Sequence, residues 1–185
     1  MASSQASTLF LAKVFNWMAI GLGVTAAVAF MMVSSGAIEI MRSNQILFYG
    51  LIIGELGLVI YLSARIKKIS AAMATGTFLF YSALNGATLS VLLMIYTSTS
   101  VAGAFIVAAG MFAAMAVYGT VTKKDLSSLG SFMFMGLIGM IIASVVNIFM
   151  GSAMISWVVS AIGVVVFTGL TAYDVQKISM YGGGG

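Results

Sequence analysis

A chain of 185 residues with 62% hydrophobic and only 6% charged side chains, at a mean hydropathy of +1.16, cannot cover itself with water-loving groups, because a soluble domain needs roughly a quarter of its residues charged. Lipid must be its solvent, and the length then suits one helical bundle with no second domain. Cys and His are both absent, which excludes disulfides, thiolate metal sites, cysteine nucleophiles, Ser-His triads and the commonest general base.

The elements follow from uncharged apolar runs long enough to cross a bilayer, about 17–25 residues each. Residues 1–13 read as a cytoplasmic segment ending at Lys13, and the first span covers 14–34. That span is longer than the apolar core of a signal peptide and others follow it, so it is expected to be an uncleaved anchor. The second span, 46–64, carries one acid, Glu55, and the third covers 69–96. The fourth, fifth and sixth cover 101–121, 129–150 and 154–173, and 174–185 forms a cytoplasmic tail. The runs are too long for strands and show no alternation. The predicted fold is all-α: a polytopic transmembrane helical bundle, 14–173, of about six spans.

The net charge of +4 and pI near 9.5 resemble those of a nucleic-acid binder. The cations, however, stand in short clusters between apolar runs, so the expected partner is the lipid bilayer and not nucleic acid. Lys13, Arg65, Lys67, Lys68, Lys123, Lys124 and Lys177 fall on one side of the predicted bundle and Arg42 alone on the other. This bias predicts that the first side, with both termini, is cytoplasmic. The basic junctions "RIKKIS", "TKKDLSS" and "VQKIS" look alike. They suit either repeated helical hairpins or the ordinary recurrence of basic turns. Gly is abundant and Pro missing. Small residues at helical spacing, such as Gly21, Gly23 and Ala27 or Gly110, Ala113 and Ala114, let helices approach closely. Methionine reads as adaptable filler and not as a copper ligand set. If a helix breaks to line a cavity, glycine is the expected break point.

Four acids are present. Glu39 lies between the first two spans with Arg42, as expected for a solvated pair. Asp125 precedes the fifth span, where it can cap the helix or sit at its positive end. Glu55 falls mid-span, where an ionised carboxylate costs about 2.5–3.5 kcal/mol. It must face the bundle interior, carry a proton or find a donor, with Asn85 and Asn147 as possible partners. A protonated Glu55 that simply ties helices together is the alternative to an intramembrane ion or proton site. Asp174 closes the sixth span, the wrong end of a helix for an anion. A cation such as Arg65, Lys67 or Lys177, or else a proton, should compensate. An acid in an unfavourable field responds to pH, whereas a plain interfacial Asp with a surface partner would not gate anything.

The string "VVVFTGLTAYDVQKI" at 164–178 resembles the signature of the Bax inhibitor family, the transmembrane Bax inhibitor motif proteins. "YGTVTKKDLSSLGSFMFMGLIGMIIASVVNIF" at 118–149 and, more loosely, "FYSALNGATLS" at 80–90 are similar to further family regions. The resemblance covers the chain from about Ala12 onward and is strongest to bacterial members. It implies a helical bundle in the bacterial inner membrane, or in endomembranes for eukaryotic relatives. It also implies a pH-sensitive calcium leak, and protection from cell death in eukaryotic members. In that family a pair of aspartates closes the pore, one in the sixth helix and one in a seventh. The resemblance assigns the first to Asp174, as sensor and as a transient calcium ligand, and aligns the family's second-helix acid with Glu55. The second aspartate has no counterpart, because the sequence ends in glycines at 182–185, where the linker to a seventh helix would begin. A chain without it would be an unregulated leak or would fail to assemble.

The leading expectation is therefore a calcium leak gated by protonation, with calcium as permeant ion and no cofactor. Calcium seeks hard oxygen ligands, and the interior offers few: Glu55, Asn85, Asn147, Asp174, hydroxyls and backbone carbonyls. The competing expectation is a non-conducting protein that modulates membrane proteases or death regulators through helix contacts. Catalysis is not expected: Glu55 and Asp174 lie half a membrane apart along their helices, and no cation lies inside a span to serve a Ser-Lys dyad.

Overall fold

The computed structural model describes residues 2–96 and 98–183, with the backbone alone at 2–7, 98, 102, 105 and 181–183. Gly184 and Gly185, placed by sequence in the tail, lie outside the described residues. Among the described residues there is no strand. The order is α1 (Ala2–Ser34), α2 (Ile38–Ser43), α3 (Gln45–Arg65), α4 (Ala71–Ser90), α5 (Leu92–Ile95), α6 (Ser98–Val121), α7 (Ser127–Met150) and α8 (Ala153–Gly183). Six helical stretches are long and apolar enough to cross a membrane: Thr8–Ser34, Gln45–Arg65, Ala71–Ile95, Thr99–Val121, Ser127–Met150 and Ala153–Met180. The all-α, six-span reading holds. The end helices run beyond the predicted 14 and 173 because no proline or glycine interrupts 2–13 or 174–181, and helix formation needs a breaker to stop it.

The chain forms two compact units, Val14–Gly103 and Met1–Lys13 with Ala104–Gly185. In the first, α3 packs against α4. Asn44 caps α3 by accepting from the Leu47 N–H at 3.1 Å, and Ser70 caps α4 by accepting from the Met73 N–H at 3.2 Å, each satisfying a donor that the first helical turn leaves open. α4 also lies on α1. Thr25 Oγ1 donates to the Ser82 carbonyl at 2.8 Å, the Phe78 ring fills the notch over Gly21, and the backbone of Gly86 meets the Thr25 carbonyl.

The third span is not one continuous helix. At Val91 the amide bonds back to Thr88 and the Met94 amide to Val91, so the ladder tightens from four residues to three. Beside it Ser90 Oγ donates back to the Ala87 carbonyl, and such back-bonding perturbs a helix ladder. Val91 itself keeps right-handed helical angles.

In the second unit α7 and α8 form a long hairpin. Its turn uses Gly151 in the left-handed region (φ 63°), where the N–H of Gly151 bonds to the Asn147 carbonyl and a Cβ would be strained. The seam is built from notches and fillers. Met133 packs into Gly169, Met140 into Gly163, Val166 against Gly136, and the Tyr173 ring against Gly130. α6 joins through Gly119, which lies on the backbone of Ala172.

Large apolar side chains are spread over the surface as well as the interior, unlike in a soluble protein. Ala29, Ser82, Ser90, Ala116 and Ala172 are buried, whereas Ile46, Ile148 and Phe149 are about four-fifths exposed. Lipid tails are as apolar as leucine, so nothing drives large side chains inward. Helices associate instead through small residues that allow close packing.

Candidate functional site

Asp174 stands on α8 two and a half turns or so before its end at Gly183. The helix end that sequence placed beside it is therefore absent, and the repulsion of the macrodipole, which fades within the last turn, does not act on it. Its carboxylate is exposed on α8. Among the described residues the only ion pair is Glu39 with Arg42, at 3.6 Å on the exposed helix α2. Lys177, the proposed partner on its own helix, makes no ion pair with Asp174 but acts on it through its charge. Lys177, one turn on, places its ammonium 5.9 Å from the centre of the Tyr173 ring, whose negative face attracts a cation. Arg65 ends α3, Lys67 follows it, and both are exposed.

Beside Asp174 the chain has a polar fastening that sequence reasoning missed. Gln176 Oε1 accepts from the Leu126 N–H at 3.0 Å, and Gln176 Nε2 donates to the Lys124 carbonyl at 2.8 Å. One amide therefore satisfies a donor and an acceptor of the α6–α7 connection and ties it to the helix that carries Asp174. The only signal in the sequence is a glutamine beside the single cation of "VQKIS".

Asp125 sits in that connection. Its Oδ1 accepts from the Ser127 hydroxyl at 2.7 Å and from the Ser127 N–H, the first of α7, at 3.0 Å. These two bonds hold its carboxyl below the usual carboxylate range, hydroxyl first. Because the folded value lies below the unfolded one, the bonds stabilise the fold above the ordinary carboxylate range. The contribution is lost as pH falls through the folded value. Asp125→Ala is accordingly expected to lower the melting midpoint slightly and by a constant amount at neutral pH. The difference should close only in acid, as read by a thermal melt in detergent across pH.

Glu55 lies on α3, where Thr88 Oγ1 of α4 donates to its Oε1. The donor that a mid-membrane carboxyl requires is thus a threonine, one turn beyond the expected Asn85. Asn85 is half-buried on α4 and makes no hydrogen bond among the described residues. Asn147 is committed elsewhere. Its Oδ1 accepts from the Ser152 N–H at 2.9 Å and its Nδ2 donates to Ser156 Oγ at 2.8 Å, so it organises the α7–α8 turn. Thr88 was legible only as one of several hydroxyls in the third span, since its pairing depends on how α3 and α4 pack. No group of three or more acids that could hold a metal ion forms among the described residues.

The family model described as "Inhibitor of apoptosis-promoting Bax1" matches residues 7–183. The chain is 49% identical over 174 residues to the inner membrane protein YbhL of Escherichia coli K12, covering 94% of this chain and 74% of that protein. It is 48% identical to a protein of Borreliella burgdorferi (92% and 74% covered) and 40% identical to one of Deinococcus radiodurans (96% and 78% covered). No solved structure matches. With six apolar helices and a relative named for the inner membrane, the chain is a multi-pass inner-membrane protein. A match along nearly the whole chain, together with the sequence similarity across it, makes this protein a member of the Bax inhibitor family.

Proposed function

We propose that this protein is a pH-sensitive calcium leak of the inner membrane, not an enzyme, with Asp174 as the protonation-dependent gate and both termini in the cytoplasm. The observation that carries the reading is the state of Asp174: an exposed carboxylate with no ion-pair partner among the described residues, fastened through its neighbour Gln176 to the α6–α7 connection. A carboxylate changes the local field by a full charge when it takes up a proton, and its oxygens are the hard ligands a passing calcium ion seeks. The basic residues at Lys123, Lys124 and Lys177 support the cytoplasmic placement of that end. Glu55, bonded to Thr88, supplies a further oxygen site within the bilayer, and sparse ligands suit passage better than storage.

The test is calcium efflux from proteoliposomes between about pH 6 and 8, on either side of neutrality. Asparagine imitates the protonated acid in shape and charge. Asp174→Asn is therefore expected to hold efflux, at every pH, near the level the unaltered chain shows at the acidic end. Efflux that responds to pH equally in both proteins would remove Asp174 from the gate. No efflux above empty liposomes would turn the assignment to a non-conducting protein that acts on membrane partners.

A further inference from the structure

At the turn joining α7 to α8 the hairpin encloses an open recess of about 350 Å³, lined by Ser144, Asn147, Ile148, Ser156, Val159 and Ser160. We propose that this recess is a water-filled mouth that the permeant cation passes in hydrated form. Its role as a mouth rests on the leak reading above; its being filled with water does not.

Three observations carry the inference. The first is segregation. Between Phe132 and Met150 the hydroxyl and amide side chains of α7 are Ser144 and Asn147, and between Ala153 and Phe167 those of α8 are Ser156 and Ser160. All four line the recess. Apolar side chains cover the rest of both half-helices, including the exposed Val145, Phe149, Ile162 and Val165.

The second is depth. Ser144 and Ser160 lie roughly 10 Å along their helices from the turn, at 1.5 Å per residue. Polar groups this far into a bilayer must meet protein or water and not hydrocarbon. The volume holds about ten waters at roughly 30 Å³ each.

The third is the direction of the hydrogen bonds. Ser160 Oγ gives its proton to the Ser156 carbonyl at 2.9 Å, and Asn147 Nδ2 gives one to Ser156 Oγ at 2.8 Å. Asn147 Oδ1 accepts a single bond, from Ser152 N. Among the described residues the hydroxyl protons of Ser144 and Ser156 and the second amide proton of Asn147 have no partner, and oxygen lone pairs are left over beside them. Such a lining, with both donors and acceptors unspent, suits water and the water shell of a passing ion. With no carboxylate among the lining residues, it binds weakly enough to release what enters. Asp174 stands near the other end of the same helix, so the recess is separate from the gate.

The absence of cysteine makes the test direct, since one introduced thiol is the only thiol. Ser144→Cys and Ser160→Cys, one on each helix, are compared with Val145→Cys and Ile162→Cys in proteoliposomes. The probe is a membrane-impermeant, positively charged methanethiosulfonate. Because thiol modification follows access and thiolate character, the two serine positions are expected to react about tenfold or more faster than their neighbours. Modification at position 160 should reduce calcium efflux several-fold. Equal, slow reaction at all four positions would show the recess closed by packing and overturn the proposal. Fast reaction at 144 and 160 with unchanged efflux in a leaking protein would overturn the mouth. Fast reaction in a protein that never leaks would remove the leak and the mouth together, and leave the wet recess standing.

Discussion

Adding one methyl group at Gly119 is expected to destabilise the α6–α8 contact by about 1–3 kcal/mol, the usual range for overpacking a tight interface, whereas the same change at Gly110 should cost nothing. A Cβ at Gly119 would lie 2.5 Å from the backbone oxygen of Ala172, with the Val175 side chain close behind. A side chain can rotate away from such an intruder, but a carbonyl in the middle of a helix cannot. The helices must separate, and Ala172, only 1% exposed, loses its packing along the seam. Gly86→Ala is expected to act alike on the other unit, because its Cβ would meet the Thr25 backbone carbonyl. At Gly110 nothing lies within 4 Å, and alanine there gains helix propensity of about 0.5–1 kcal/mol over glycine. The midpoints of thermal unfolding in one detergent check all three. Equal behaviour at 119 and 110 would mean that α6 and α8 do not approach closely.

Replacing Gln176 with alanine is expected to cost about 2 kcal/mol, since it removes two hydrogen bonds and leaves the Leu126 N–H without its acceptor. Leu126 is 4% exposed, so water cannot readily take the place of the lost amide. The α6–α7 connection should then loosen, and it carries Lys123 and Lys124. Limited digestion with trypsin should cut there several-fold faster than in the unaltered protein, alongside a lower melting midpoint. Gln176→Glu keeps the acceptor and loses the donor to the Lys124 carbonyl, so it should fall between the two. If Gln176→Ala changes neither digestion nor melting, the bridge holds nothing in place.

Topology was legible in the sequence for a plain reason. A bilayer imposes one length and one chemistry on every span, so six long apolar runs separated by short polar or glycine-containing connections determine six helices. The Glu39–Arg42 pair and the helix-start role of Asp125 were equally local, each decided by residues two or three positions apart. Asp174 was singled out by its place near the end of the sixth span and by a resemblance in the string around it, and the acid in α3 by its isolation.

Packing decided what sequence could not. Hydropathy sees no difference between a glycine that seats a neighbouring helix and one that faces open space, yet Gly119 and Gly110 differ in just this way. The donor to Glu55 is Thr88 and not Asn85 because the rotation of α4 against α3, a tertiary quantity, selects which of two polar residues one turn apart meets the acid. Asn147 serves a turn instead of a carboxylate because Gly151 folds α8 back within reach of its amide. The sequence by itself determined that the chain spans the membrane, how often, and where its few acids stand. The tertiary structure decided which of its polar groups find one another, because hydrogen bonds require contact between helices far apart in sequence, and only their packing supplies it.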